Sequence, residues 1–315
     1  MYKIIFMGTP HFSVPILEAL AALEQVAIVA VVTQPDRKVG RKKIVTPPPV
    51  KQAAIELELP LFQPEKLSGS EEMKELLDLK PDLIVTAAYG QYVPTKLLKA
   101  PTLKAINVHA SLLPKYRGAA PIHSAIINGD KETGVTIMYM EKEMDAGNII
   151  AQCSIPIFRQ DDVGTMFEKL SILGRDCLIE TLPSIFDQSN DSIPQNTEEV
   201  TYAPMIDSEQ EKINWSKTAS QIDNMVRGLR PFPGAHTILE GKRFKVWSVE
   251  PLEQKATENP GVIEEIRKDA IIVACGGNTL LALYEIQPSG KQRMKSLNYL
   301  TGAGSHLERG IRFGE

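Results

Sequence analysis

Cysteine is scarce in this 315-residue chain: Cys153, Cys177 and Cys275 are odd in number and widely spaced. They form neither a zinc-ligand pattern nor a disulfide framework, so a reducing, cytoplasmic environment is expected. Long apolar runs are lacking too. The longest, Val26 to Val32, is far shorter than the ~20 residues that cross a bilayer, which argues against a membrane-spanning helix. The opening run Ile4 to Met7 is too short for the core of a signal peptide and no small-residue cleavage site follows it, so a soluble protein is expected. Neither sign of charge prevails: 35 Lys and Arg stand against 39 Asp and Glu, a net of −4. That excludes a uniformly basic protein coating nucleic acid and leaves room for a local basic face. Internal repeats are absent. The Gly-rich dinucleotide fingerprint is absent as well, because Gly8-Thr9-Pro10 lacks its second and third glycines.

What is present is ordinary for a folded chain, with 43% apolar, 23% charged and 6% aromatic residues. The length favours two domains. In the first half, strands and helices alternate. Residues 4–7, 26–33, 83–87 and 105–108 read as short buried strands, and residues 13–23, 50–58 and 71–79 as helices. This alternation predicts an α/β fold: a Rossmann-like, mostly parallel sheet with helices on both faces. In such sheets ligands sit beyond the carboxyl ends of the strands. A long amphipathic stretch at 163–188 then gives way to the polar run Ser189-Asn190-Asp191-Ser192-Ile193-Pro194-Gln195-Asn196-Thr197. The expected boundaries are a catalytic domain at 1–188, a linker at 189–206 and a C-terminal domain at 207–315. In that last part a helix at 222–229 precedes strand-like runs at 236–239, 244–249, 261–266, 270–275 and 280–286, with a hairpin turn at Gly276-Gly277-Asn278. Five short strands after one helix predict a smaller, OB-like β-barrel.

Charge is unevenly spread. From Glu209 to the end there are 15 basic and 13 acidic residues, against 20 and 26 before it. Within Gly290 to Arg312, Lys291, Arg293, Lys295, Arg309 and Arg312 face the single acid Glu308. A second basic island, with Arg37, Lys38, Arg41, Lys42 and Lys43 against Asp36, directly follows a strand's carboxyl end and is stiffened beyond by Pro47-Pro48-Pro49. A solvated loop is the usual meaning of such a run.

Two groups of residues could carry chemistry. Asn107 and His109 lie two apart at the end of a strand and so share a face, side by side, where two donors could stabilise an oxyanion. From spacing alone, a polar strand end capped by ordinary hydrogen bonds is the favoured account of the pair. Asp145, in the loop Met144-Asp145-Ala146-Gly147, could orient an imidazole or simply bond its own backbone in a turn. Between them Ser111-Leu112-Leu113-Pro114 and Arg117-Gly118-Ala119-Ala120-Pro121 form a shaped loop, neither strand nor regular helix.

Taken jointly, Asn107-Val108-His109-Ala110-Ser111-Leu112-Leu113-Pro114, Arg117-Gly118-Ala119-Ala120-Pro121 and Met144-Asp145-Ala146-Gly147 closely resemble the signature of the folate-dependent formyltransferases. The opening Phe6-Met7-Gly8-Thr9-Pro10, the run Thr33-Gln34-Pro35-Asp36-Arg37 and Ala88-Tyr89-Gly90 are similar to the methionyl-tRNA branch of that family. The resemblance runs over the whole chain, and it is specific as a joint pattern.

The resemblance implies transfer of the formyl group of 10-formyltetrahydrofolate to the α-amine of methionyl initiator tRNA, without a covalent enzyme intermediate and without a metal. It implies Asn107, His109 and Asp145 as the catalytic residues. Ser111, Leu112, Leu113 and Pro114 would form part of the folate wall, with the pterin near Ala87 to Tyr92, where Ala88, Tyr89 and Gly90 would bind it, and near Ile137 to Asp145. It further implies that Arg37, Lys38, Arg41, Lys42 and Lys43 contact the acceptor stem, and that Lys291 and Arg293 grip the same RNA further away. A cytoplasmic monomer is the expected state. Two other functions compete: a formyltransferase acting on a nucleotide-sugar amine, which would need no basic insertion, and a non-catalytic RNA-binding protein reusing the fold.

Overall fold

The computed structural model describes residues 1–40 and 42–314, so Arg41 of the basic island lies outside the described residues. Two compact units emerge. The first comprises Met1–Pro121, Thr133–Ile155 and Phe167–Ala203; the second comprises Ile122–Glu132, Pro156–Met166 and Pro204–Glu315.

The first unit is built on a seven-stranded sheet. Its strands are β1 (Tyr2–Gly8), β2 (Val26–Val32), β5 (Leu61–Phe62), β6 (Leu83–Ala87), β7 (Ala105–His109), β8 (Glu132–Tyr139) and β9 (Ile149–Pro156), in the order β5-β2-β1-β6-β7-β8-β9. The hairpin β3 (Arg37–Val39) and β4 (Ile44–Thr46) forms a separate two-stranded ribbon. Pairing is parallel from β5 through β7 and turns antiparallel at β8. Continuous apolar runs suit strands covered on both faces, and β6 is buried at all five positions. Ile5, Met7, Ala30, Val32 and Ile84 cluster on one face with Met73 and Leu76 of α3 (Glu71–Asp78). On the other face, Val108, Val135 and Ile16 of α1 (Val14–Ala21) crowd Gly174 of α6 (Val163–Phe186). Helix α2 (Pro49–Glu56) enters through the proline run, where a fixed φ and a missing N–H cost nothing in the first turn. Short α4 (Thr95–Leu98) and α5 (Pro121–Asn128), with β3, β4, β5, β8 and β9, are elements beyond those expected from the sequence.

Residues 189–203, expected within a linker, are instead pinned to the first unit. Ile193 exchanges backbone hydrogen bonds with Ile149 at 2.8 Å in both directions, and Asn190 bonds the Tyr139 hydroxyl. The polar composition is that of a linker, but those polar groups are satisfied by the sheet edge and its loops rather than by water alone.

In the second unit α7 (Ala219–Gly228) begins with a capping box between Thr218 and Gln221, which satisfies two of its free amide groups. Antiparallel strands β10 (His236–Leu239), β11 (Lys242–Lys255), β12 (Ile263–Ile266), β13 (Ile271–Cys275), β14 (Thr279–Pro288) and β15 (Met294–Lys295) follow, in the order β10-β11-β14-β13-β12 with β15 on β14. The expected turn joins β13 to β14, with Gly277 at φ 66 and Asn278 at φ 55. Ile222 and Val226 of α7 sit in the core with Trp215, Phe244, Val273, Leu281, Leu283 and Phe313. A short helix, α8 (Ser296–Leu300), ends this barrel-like sheet. No helix among the described residues is long and apolar enough to cross a membrane.

Candidate active site

Strands β6 and β7 lie parallel in register, Thr86 opposite Asn107, so their carboxyl ends open at the same edge. Asn107 is half-buried, and its Oδ1 accepts from the Thr86 hydroxyl at 2.7 Å. With the carbonyl oxygen committed there, the Nδ2 hydrogens have no other partner among the described residues. The amide is held with its donors available.

His109 ends β7 and is buried. Its Nε2 is 3.0 Å from the carbonyl of Tyr116, which can only accept, so the proton of a neutral ring resides on Nε2. Nδ1 is therefore the atom left for chemistry. It stands 3.7 Å from Oδ2 of Asp145, close enough to stabilise an imidazolium but too long for a hydrogen bond. The carboxylate is itself fixed by the Gly118 amide, which donates to Oδ2 at 2.9 Å. Asp145 occupies the left-handed region at φ 51, and Gly147 follows where a Cβ would lie 1.9 Å from the Tyr139 carbonyl oxygen. Only glycine permits that approach. Gly118 has the same constraint, with φ 119 and the Ala203 carbonyl 2.8 Å from its ideal Cβ position.

The shaped loop is tied down by Thr136. Its hydroxyl donates to Ser111 O at 2.6 Å and accepts from Leu113 N at 3.1 Å and from Gln152 Nε2 at 2.9 Å. The Ser111 hydroxyl closes the turn onto Lys115 O at 2.7 Å, and the Leu113–Pro114 peptide is cis. Leu113 and Ser111 are buried, while Leu112 and Pro114 are half-buried.

At the end of β6, Ala88 and Gly90 are exposed, with φ 47 and 83. The Tyr89 side chain goes the other way. It lies in the apolar cluster with Ile5, Met7 and Val32, its hydroxyl without a partner among the described residues, and burial pushes its phenol up to about 12. Any contact it makes with a ligand at this edge is through its backbone. Its carbonyl accepts from Thr9 Oγ1 at 2.7 Å and Gln34 Nε2 at 3.3 Å, drawing the β1 and β2 ends to the same place.

The basic island forms the β3–β4 hairpin. Its base is fastened by Lys51, which donates to both oxygens of Asp36 at 2.8 Å, and by Gln63, which donates to Asp36 at 2.9 Å; these bonds hold the Asp36 carboxyl below its usual range. Arg37 forks onto Glu65, the shorter contact 2.7 Å, with both side chains largely exposed. Lys38, Lys42 and Lys43 are exposed beside the equally exposed Val39, Ile44 and Val45. In the second unit Lys291 and Arg293 are also exposed, Arg293 pairing with Glu285 and lying 5.2 Å from the Trp247 ring centre. Among the described residues no three or more His, Cys, Asp or Glu side chains are arranged to hold a metal.

Two partners of the site were missed in the sequence. Thr86 could have been found from the strand register, because it precedes a strand end beside Asn107. Gln195 had no signal: its contacts, described below, lie about fifty and eighty residues away.

Comparison with known proteins comes down to one family. The formyl transferase model matches residues 2–182, and the model of the formyl transferase C-terminal domain matches residues 205–304. The chain is 57% identical over 307 residues to a methionyl-tRNA formyltransferase of Enterococcus faecalis, covering 98% of each chain. It is 56% identical to one of Lysinibacillus sphaericus, covering 99% of this chain and 100% of that one. Solved structures share the fold at lower identity. An N-formyltransferase from Helicobacter canadensis, in complex with folinic acid and dTDP-3-aminofucose, is 20% identical with a TM-score of 0.69 over 91% of this chain and 100% of that one. HypX from Aquifex aeolicus is 17% identical with a TM-score of 0.63, covering 97% of this chain and 50% of that one.

Proposed function

Because this chain belongs to the formyl transferase family in both of its domains, we propose that it transfers the formyl group of 10-formyltetrahydrofolate to the α-amine of methionyl initiator tRNA, for translation initiation. One observation carries the choice of acceptor: similarity of 52 to 57% to methionyl-tRNA formyltransferases over nearly the whole chain. The sugar formyltransferases among the solved structures share the fold at about 20% identity, and identity that low does not favour a sugar acceptor.

The site suits the donor. Exposed backbone at Ala88 and Gly90, past the carboxyl end of β6, and the half-buried Leu112 and Pro114, past the end of β7, are what it offers a flat heteroaromatic ring. Bound there, the folate supplies a formyl group on N10. The chain's own residues do the rest. Asn107 Nδ2 donates to the formyl oxygen as negative charge grows on it, a task that needs a donor already aimed. His109 Nδ1 takes a proton from the attacking amine, and Asp145 stabilises the imidazolium so formed. The same proton returns to N10 as the carbon–nitrogen bond breaks, which leaves the ring neutral for the next turn. No nucleophilic side chain is consumed. The exposed Lys38, Lys42 and Lys43 would hold acceptor-stem phosphates, since they are not paired to carboxylates among the described residues, whereas Arg37 would exchange Glu65 for a phosphate. Lys291 and Arg293 would take phosphates further along the RNA.

The test offers 10-formyltetrahydrofolate with one of three acceptors: methionyl initiator tRNA, methionyl elongator tRNA or a UDP-amino sugar. Rapid formylation of the initiator alone is expected. A preference for the amino sugar would overturn the assignment.

A further inference from the structure

The segment 189–203 is mostly exposed, yet Gln195 within it is half-buried and uses its full hydrogen-bonding capacity. Its Oε1 accepts from Arg117 Nε at 3.0 Å and Arg117 Nη2 at 2.9 Å. Its Nε2 donates to the carbonyls of Asp145 and Gly147, both at 2.8 Å. A guanidinium can only donate and a peptide carbonyl can only accept, so these four partners leave one orientation of the amide. Arg117 is buried, and its one carboxylate contact among the described residues is Glu143, 3.4 Å away on a side chain that is 72% exposed. The guanidinium thus depends on a neutral amide for its shorter bonds. That amide in turn grips the backbone on both sides of Ala146, in the loop that presents Asp145 to His109.

We propose that Gln195 is a positioning residue for the catalytic Asp145. It holds the Asp145 carbonyl from one side while Gly118 N–H holds the carboxylate from the other, so that Oδ2 stays facing His109 Nδ1. Asp145 sits at a positive φ that a non-glycine residue rarely adopts, and such a conformation persists only where its surroundings over-determine it. On this account the stretch 189–203 is a working part of the site, and formyl transfer requires it to be docked. The proposal rests on the assignment of His109 and Asp145 as the catalytic pair.

Two variants separate positioning from mere structure. Gln195→Leu keeps the volume and removes all four bonds. Gln195→Glu keeps the acceptor for Arg117 and strengthens that contact, but sets an oxygen against two carbonyls. Both should lower kcat roughly 10- to 100-fold, as small misplacements of catalytic groups do, with KM for folate and for Met-tRNA changed less than about threefold. In an Asp145→Ala background the Gln195→Leu effect on kcat should shrink to within about twofold, since the group being positioned is gone. The idea fails if Gln195→Glu turns over normally, or if Gln195→Leu costs the same factor with and without Asp145. Should Gln195→Leu not fold, Gln195→Glu decides alone. Full activity of Asp145→Ala by itself would instead sink the catalytic assignment, and the proposal with it.

Discussion

Asn107 and Thr86 show how a single side chain acquires a direction. An amide on a strand end can rotate; the Thr86 hydroxyl at 2.7 Å fixes which end faces the open edge. Losing an aimed oxyanion donor costs roughly 100- to 1,000-fold in turnover. Asn107→Ala should fall in that range with Met-tRNA affinity nearly unchanged, measured by single-turnover kinetics and filter binding. Thr86→Val, which keeps the shape and loses the hydroxyl, should lower kcat by about tenfold, and Thr86→Ser should restore it. A Thr86→Val enzyme with normal turnover would show that Asn107 needs no such anchor. Under the proposed mechanism Asp145 acts only through the imidazolium of His109, so the effects of the two should be strongly non-additive. The double alanine variant should cost little more in kcat than the worse single one; additive losses in a folded double variant would show that the two side chains work separately.

At the β3–β4 hairpin the proposed RNA contact belongs to an element rather than to a single residue. Its lysines are exposed, its base is clamped by the Asp36–Lys51 pair, and the side chain of Arg37, its first residue, makes an exposed ion pair of the kind that contributes little to stability. Such a ribbon keeps its shape at the foot and offers its cations at the tip. Each phosphate contact contributes about 0.7 to 0.9 to the slope of log affinity against log salt. Replacing Lys38, Lys42 and Lys43 together with alanine should therefore lower the slope for Met-tRNA binding by roughly two, with folate KM unchanged. An unchanged slope, measured between low and physiological salt, would mean that the ribbon is merely solvated.

For the molecule as a whole, the path of the chain matters more than any one boundary. The second unit takes in Ile122–Glu132 and Pro156–Met166, stretches that lie well before the apparent end of the first. Ile122, Ala125 and Ile126 of α5 are buried, and Ile127 approaches Gly228 so closely that a Cβ there would sit 2.4 Å from its Cγ1. Asp162 pairs with Arg230 at 2.7 Å, and the Asp161 carbonyl accepts from Arg227 at 2.8 Å. A fragment ending at Ala203 would leave these groups uncovered. It should express poorly, aggregate, and show no cooperative melting transition. A soluble 1–203 fragment that melts cooperatively would show that the two stretches need none of the later chain.

The sequence by itself was enough for those features whose cause is local. Continuous apolar runs produced β1, β2 and β6; the Gly276-Gly277-Asn278 turn joined β13 to β14; and both Asn107 and His109, two residues apart, lie at the carboxyl end of β7. These follow from periods and dihedral preferences that a few neighbouring residues express. Tertiary structure decided the rest. Strand β8 carries its own β-branched and apolar run, Val135-Thr136-Ile137-Met138-Tyr139, but its antiparallel place beside β7 is set by the assembled sheet. Which nitrogen of His109 is free depends on a carbonyl seven residues away, and what holds Asp145 depends on Gln195, fifty residues on. Polar side chains of that kind read alike in solvent and in a site. Only the partners that folding brings to them make them one or the other.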